Sequence, residues 1–110
     1  MKITVLESGR YKLEEDVIYY SERYKGTILA KAGIYDGATG AVDILSLAWV
    51  IHDQICNEPF FSDGRKITAW MAASILSDIL KQEKRWFRSF TWKYMTFFLG
   101  CNKTRKNGWI

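Results

Sequence analysis

The segment Asp36 to Cys56, DGATGAVDILSLAWVIHDQIC, passes from a glycine-rich turn into an apolar run, and its reading divides the chain into two kinds of structure. Gly37 and Gly40, with Gly33 upstream and Asp36 and Thr39 among them, predict a loop whose backbone needs unusual dihedrals. Leu45, Leu47, Ala48, Trp49, Val50, Ile51 and Ile55 then predict a core helix. Asp43 or Ser46 suits its cap, and Asn57-Glu58-Pro59 ends it, because proline disfavours helix at the preceding residue. The only histidine, His52, and its neighbour Asp53 put two ionisable groups into a segment that otherwise reads as core.

Upstream of the loop the pattern is that of strands. Lys2 to Leu6 alternates and is rich in β-branched residues, and Glu7-Ser8-Gly9-Arg10 reads as a turn. Tyr11 to Leu13 and Val17 to Ser21 form a second β-type region around the acidic run Glu14-Glu15-Asp16, and Thr27 to Ala32 a third. Downstream the pattern is helical. Ile67, Met71, Ile75, Leu76, Ile79 and Leu80 predict a helix from about Arg65 to Gln82, capped by Ser62 or Asp63. A third is expected from Lys84 or Arg85 to Leu99, ended by Gly100. Its aromatic positions leave few for water, so it is expected to be buried or to lie against a partner or an interface. The expected architecture is α+β in a single domain, 1–110. A small antiparallel sheet of about three short strands (1–35) packs with three helices (44–99), followed by a basic tail (100–110).

Charge is unevenly spread along the 110 residues. Residues 1–78 hold eight Lys/Arg against eleven Asp/Glu, a balance of −3, whereas 79–110 hold eight against Glu83 alone, a balance of +7. Arg85, Arg88, Lys93, Lys103, Arg105 and Lys106 lie among aromatics there, and Trp109 ends an otherwise polar tail. This set forms the candidate binding surface. Its charge suits a host or virion protein, nucleic-acid phosphate or an anionic membrane surface. No run approaches the roughly 18 to 20 apolar residues of a membrane-spanning helix, and the first residues carry no secretory signal pattern. Cys56 and Cys101 are accordingly expected to be reduced thiols of a cytosolic protein.

Several chemistries are excluded by count. The His-Asp metal phosphohydrolases draw on further histidines, and three soft ligands, His52 and Cys56 at i and i+4 with distant Cys101, do not make a closed zinc site. Walker loops, zinc-protease motifs and nucleophile elbows are absent. Cys56 lies one helical turn from His52, a spacing that allows contact and reads first as packing. Adjacent helix positions point about 100° apart, so Asp53 does not orient the His52 ring. Asp78 in the second helix is the candidate to do so.

A glycine-rich loop, a helix with His52-Asp53 and a second helix supplying a carboxylate together resemble the plan of phospholipase A2 enzymes. That resemblance implies His52 as base for a water, Asp78 as its orienter, and Asp36 and Asp53 with loop carbonyls holding calcium. Calcium belongs to this alternative alone; otherwise no cofactor is expected. The loop Asp-Gly-Ala-Thr-Gly departs from that family's Tyr-x-Gly-x-Gly. A further resemblance covers roughly residues 33–110. Tyr35-Asp36-Gly37-Ala38-Thr39-Gly40-Ala41-x-Asp43, Trp49-x-x-His52-Asp53, Asp78-Ile79-Leu80 and the closing Arg105, Asn107 and Gly108 are similar to small tailed-phage proteins related to the domain-of-unknown-function family 1353. It implies a phage setting, in the host cytoplasm or the virion, and no particular activity. The leading expectation is therefore a phage accessory or structural protein that binds a partner through its basic, aromatic last third. A His52-dependent hydrolase is the alternative.

Overall fold

The computed structural model describes residues 3–6, 10–35 and 46–110. The fold is α+β. Among the described residues, five short strands precede four helices: β1 (Ile3–Val5), β2 (Tyr11–Leu13), β3 (Val17–Ser21), β4 (Gly26–Ala30), β5 (Gly33–Tyr35), α1 (Leu47–Asn57), α2 (Ala69–Gln82), α3 (Trp86–Leu99) and α4 (Asn102–Asn107). Strands β1, β2 and β5 form an antiparallel three-stranded sheet, and β3 pairs antiparallel with β4 as a separate hairpin.

The expected single β-type region at 11–21 is thus two strands in two sheets, and the third expected strand, Thr27 to Ala32, ends early and is followed by β5. A local bond accounts for the break. The Asp16 carboxylate accepts the Ala32 N–H at 2.8 Å, holding together the points where β2 gives way to β3 and β4 to β5. Register follows from alternation: Tyr11 and Leu13 are buried while Lys12 between them faces out, and the Tyr11 and Tyr35 rings stack at 5.5 Å across paired positions.

The core lies between these sheets and the first two helices. Leu13, Ile28 and Ala30 from the strands meet Val50, Ile51 and Ile55 of α1 and Ile75, Leu76, Ile79 and Leu80 of α2. Ser46 caps α1 by accepting the Ala48 N–H at 3.0 Å, and donates to Glu83 just past the end of α2. Helix α2 starts later than its periodicity predicts, with Thr68 as its cap. Asp63 instead accepts from the Arg65 backbone and guanidinium in a turn. At its other end Lys84, with φ 62°, closes a Schellman turn: the Arg85 N–H reaches Leu80 O and the Lys84 N–H reaches Lys81 O. The chain then runs into α3, which meets α2 where the buried Ser77 and Ser89 hydroxyls hydrogen-bond at 2.7 Å.

The expected basic tail contains α4. Asn107 donates to both Pro59 O and Ile67 O at 3.0 Å, while Gly108 O and Trp109 O accept the Ala69 and Trp70 N–H groups at the front of α2. The tail is therefore fastened to the body of the fold. Gly26 is needed for a close approach: a Cβ there would lie 2.5 to 2.8 Å from atoms of the buried Phe61 ring.

Candidate functional site: the outer face of α3 and the His52 cavity

Helix α3 buries only Ser89 completely. One side holds it to the molecule: Trp92 meets the buried Trp49 edge to face at 5.0 Å, and Phe97 packs against Trp70 at 5.2 Å and Trp109 at 5.4 Å. The other side is open. Phe87, Phe90, Tyr94 and Phe98 recur at helical spacing along one face, flanked by Trp86, Met95 and Leu99. All seven are exposed, Phe87 at 80% and Leu99 at 74%. Burial, the first of the two expectations for this helix, is not what the structure shows; an uncovered aromatic face is.

Cations border that face, and between Lys84 and Ile110 the sequence contains no acidic residue. The ammonium of Lys93 lies over the Trp70 ring at 4.5 Å, and its pKa is lowered, first by partial burial and then by Lys81 and Arg23. Arg85 lies 3.7 Å from Glu83, Arg88 is half-buried, and Lys106 is exposed. The remaining members of the predicted binding set have structural work inside the fold. Lys103 donates to Asn57 O at the end of α1, Arg105 donates to Phe98 O at the end of α3, and the Arg105 guanidinium covers the Trp109 ring at 5.4 Å. The surface that sequence reasoning assigned to the whole last third is therefore concentrated on α3.

A cavity of about 570 Å³ lies between α1 and α3. Trp49, His52, Asp53 and Cys56 of α1 form one wall, and Trp92, Met95, Thr96, Leu99, Gly100 and Cys101 form the other. His52 sits there because it shares a face of α1 with Trp49 and Cys56, positions three and four residues away. Its ring meets Trp49 edge-on at 6.1 Å, and its Nε2 lies 3.7 Å from Cys56 Sγ. Burial lowers its pKa to about 4, so the imidazole is neutral at neutral pH. His52 Nδ1 and Trp49 Nε1 are both buried without a hydrogen-bond partner among the described residues.

The cysteines next to it are not free thiols. Cys56 and Cys101 form a disulfide with Cα atoms 5.6 Å apart, joining the end of α1 to the start of α4. This corrects the expectation of two reduced thiols: the fold carries the chain end back onto α1. The step from free thiols to a reducing compartment falls with it.

His52 and Asp78 are not brought together. The Asp78 carboxylate receives both Nε and Nη2 of Arg23 at 2.8 Å, which ties α2 to the turn after β3 and raises the Arg23 pKa. Asp53 accepts the Tyr11 hydroxyl at 2.9 Å, and burial together with that carboxylate raises the Tyr11 pKa. Asp36 and the glycine loop, assigned to calcium in the alternative reading, lie outside the described residues. Among those described, no three His, Cys, Asp or Glu side chains are gathered as metal ligands, and no helix is long and apolar enough to cross a membrane. Neither the cavity nor the Trp49 indole that lacks a hydrogen-bond partner among the described residues is legible in the chain's periodicity, because both depend on where Trp92 of α3 meets α1. Comparison with protein families, curated proteins and solved structures finds no match to this chain.

Proposed function

We propose that this chain is a small binding protein, a tailed-phage accessory in the setting that its sequence resemblance implies, and that α3 docks it on an anionic lipid surface. The observation that carries this reading is the uncovered Phe87, Phe90, Tyr94 and Phe98 face in a stretch with basic residues and no acidic ones. Aromatic side chains settle at the boundary between headgroups and acyl chains, and flanking cations meet anionic headgroups. A second copy of the chain is a poorer occupant, because a two-fold contact would bring like-charged surfaces together. Nucleic acid would use the cations but leave the Phe87 and Leu99 side chains without an apolar medium. Hydrolysis at His52 loses support where Asp78 is held by Arg23, since the imidazole then lacks its expected orienting carboxylate.

Vesicle sedimentation checks the assignment. The protein is expected to pellet with phosphatidylglycerol-containing vesicles, less with pure phosphatidylcholine, and hardly at all when Phe87→Asp and Phe90→Asp are combined. Failure to pellet with anionic vesicles, or tight salt-sensitive binding to a single-stranded oligonucleotide in their place, would overturn it.

A further inference from the structure

A second cavity, of about 390 Å³, takes none of its lining from α3 and lies against β4. Leu29 and Lys31 form its strand side, Gln54, Asn57 and Glu58 its helix side, and Phe60, Phe61 and Ser62 one end. Ile28 and Leu29 point to opposite faces of β4 and both line it, so the cavity runs along the edge of the strand and not over one face. That edge is half covered. The Ser62 N–H donates to Thr27 O at 2.9 Å, on the side of β4 away from β3. Alternate residues of an antiparallel strand present N–H and C=O to the same side, so Leu29 and Lys31 face the way Thr27 does. Lys31 O accepts the Tyr35 hydroxyl. Between these two anchored points the Leu29 N–H and C=O have no partner on that edge among the described residues.

We propose that this groove takes up an extended peptide segment of a partner protein, which adds to the open edge of β4 at Leu29 as a further strand. An open strand edge offers a donor and an acceptor at every second residue, a pattern that another peptide backbone matches and that neither a polyanion nor a lipid chain does. Charge selects the same occupant. Lys31 and Glu58 stand on opposite sides of the groove with no ion pair among the described residues, so it presents one charge of each sign and no cluster for phosphate. The exposed Phe60 and the half-buried Leu29 supply apolar contact for side chains of the incoming segment. From Leu29 to Lys31 the edge advances by about 7 Å, so about three residues of an extended segment are held. A second copy of the chain would bring a strand already built into a folded sheet, whose neighbours would meet the end of α1 and Phe60; a flexible segment fits better. The site is separate from the lipid-docking reading, because no residue of α3 lines it.

The test is titration of the full chain with capped pentapeptides that alternate Thr and Val around a central Lys, Glu, Leu or Thr, followed through hydrogen exchange of the Leu29 amide. In the free chain that amide is expected to exchange as an unpaired one. At least one peptide is expected to bind saturably, one to one, and to slow the exchange by about tenfold or more. Its analogue N-methylated at both valines, with the same side chains and fewer N–H donors, is expected to bind more weakly by about tenfold or more, a difference of about 1.4 kcal/mol. Leu29→Pro, which removes the edge N–H and leaves the pairing with β3 in place, is expected to lose peptide binding while still pelleting with vesicles. Should that variant fail to fold, the N-methyl comparison on the wild type still decides. A Leu29 amide already protected in the free chain, binding by none of the peptides, or equal binding of the N-methylated analogue would each overturn the proposal. Protection of Leu29 that grows with protein concentration in the absence of peptide would give the edge to a second copy and overturn it as well. Failure of the wild type to bind vesicles while a peptide still binds would sink the docking reading alone.

Discussion

At the scale of single residues, His52 sets a pH dependence. Its pKa is about 4 in the folded chain and 6.5 in a solvated one, because burial disfavours the charged ring. Between those values the unfolded chain binds a proton that the folded chain does not, so stability rises with pH and is lost as pH falls below about 6.5. The gap corresponds to at most about 3 kcal/mol. In urea melts at pH 7 and pH 4.5, His52→Phe should show a smaller drop than wild type; equal drops would place the acid sensitivity elsewhere. Gly26 offers a second check. The Phe61 ring must move to admit a Cβ at that position, so Gly26→Ala should destabilise by about 1–3 kcal/mol in the same assay. His52 was legible in the sequence as an ionisable group in an apolar helix. Its neighbours were not: periodicity placed Asp78 on an inward part of α2 but could not say that the guanidinium of Arg23 would take its carboxylate.

At the scale of elements, the helical spacing gave α1 to within its caps and α3 nearly to its ends, because Ser46, Pro59 and Gly100 are strong local signals. What spacing could not give is which sides of a helix find neighbours. An α3 sequence apolar on most sides predicted cover, yet the fold supplies it on one side only, through Trp49, Trp70 and Ser77. Helix α4 escaped the reading because Asn102 to Asn107 has no apolar period and is held by tertiary bonds such as those from Asn107. The junction between α2 and α3 carries a prediction of its own. Lys84 occupies the left-handed position of a Schellman turn, where glycine is the usual residue. Lys84→Gly should therefore raise stability by about 1 kcal/mol, read as a higher denaturation midpoint, whereas a lowered midpoint would mean that the lysine side chain stabilises the junction.

For the whole molecule, the α+β class and the order of strands before helices were legible from the change in periodicity around residues 36–56, while the division of the strands into two sheets was not, since pairing partners are set by long-range contacts. Pairing of the two cysteines was equally hidden: a separation of 45 residues says nothing about whether their Cα atoms meet. Closing a loop of that size restricts the unfolded chain, so Cys101→Ser, or reduction of the wild type, should lower stability by about 2–4 kcal/mol. An unchanged melting midpoint in reductant would show that the link contributes nothing. Helix α2, which packs against all three other described helices, completes its front edge with carbonyls from Gly108 and Trp109. On the ribosome those acceptors emerge long after Ala69 and Trp70, so α2 leaves the exit tunnel with its first turn incomplete and gains these backbone partners only once Trp109 has followed it.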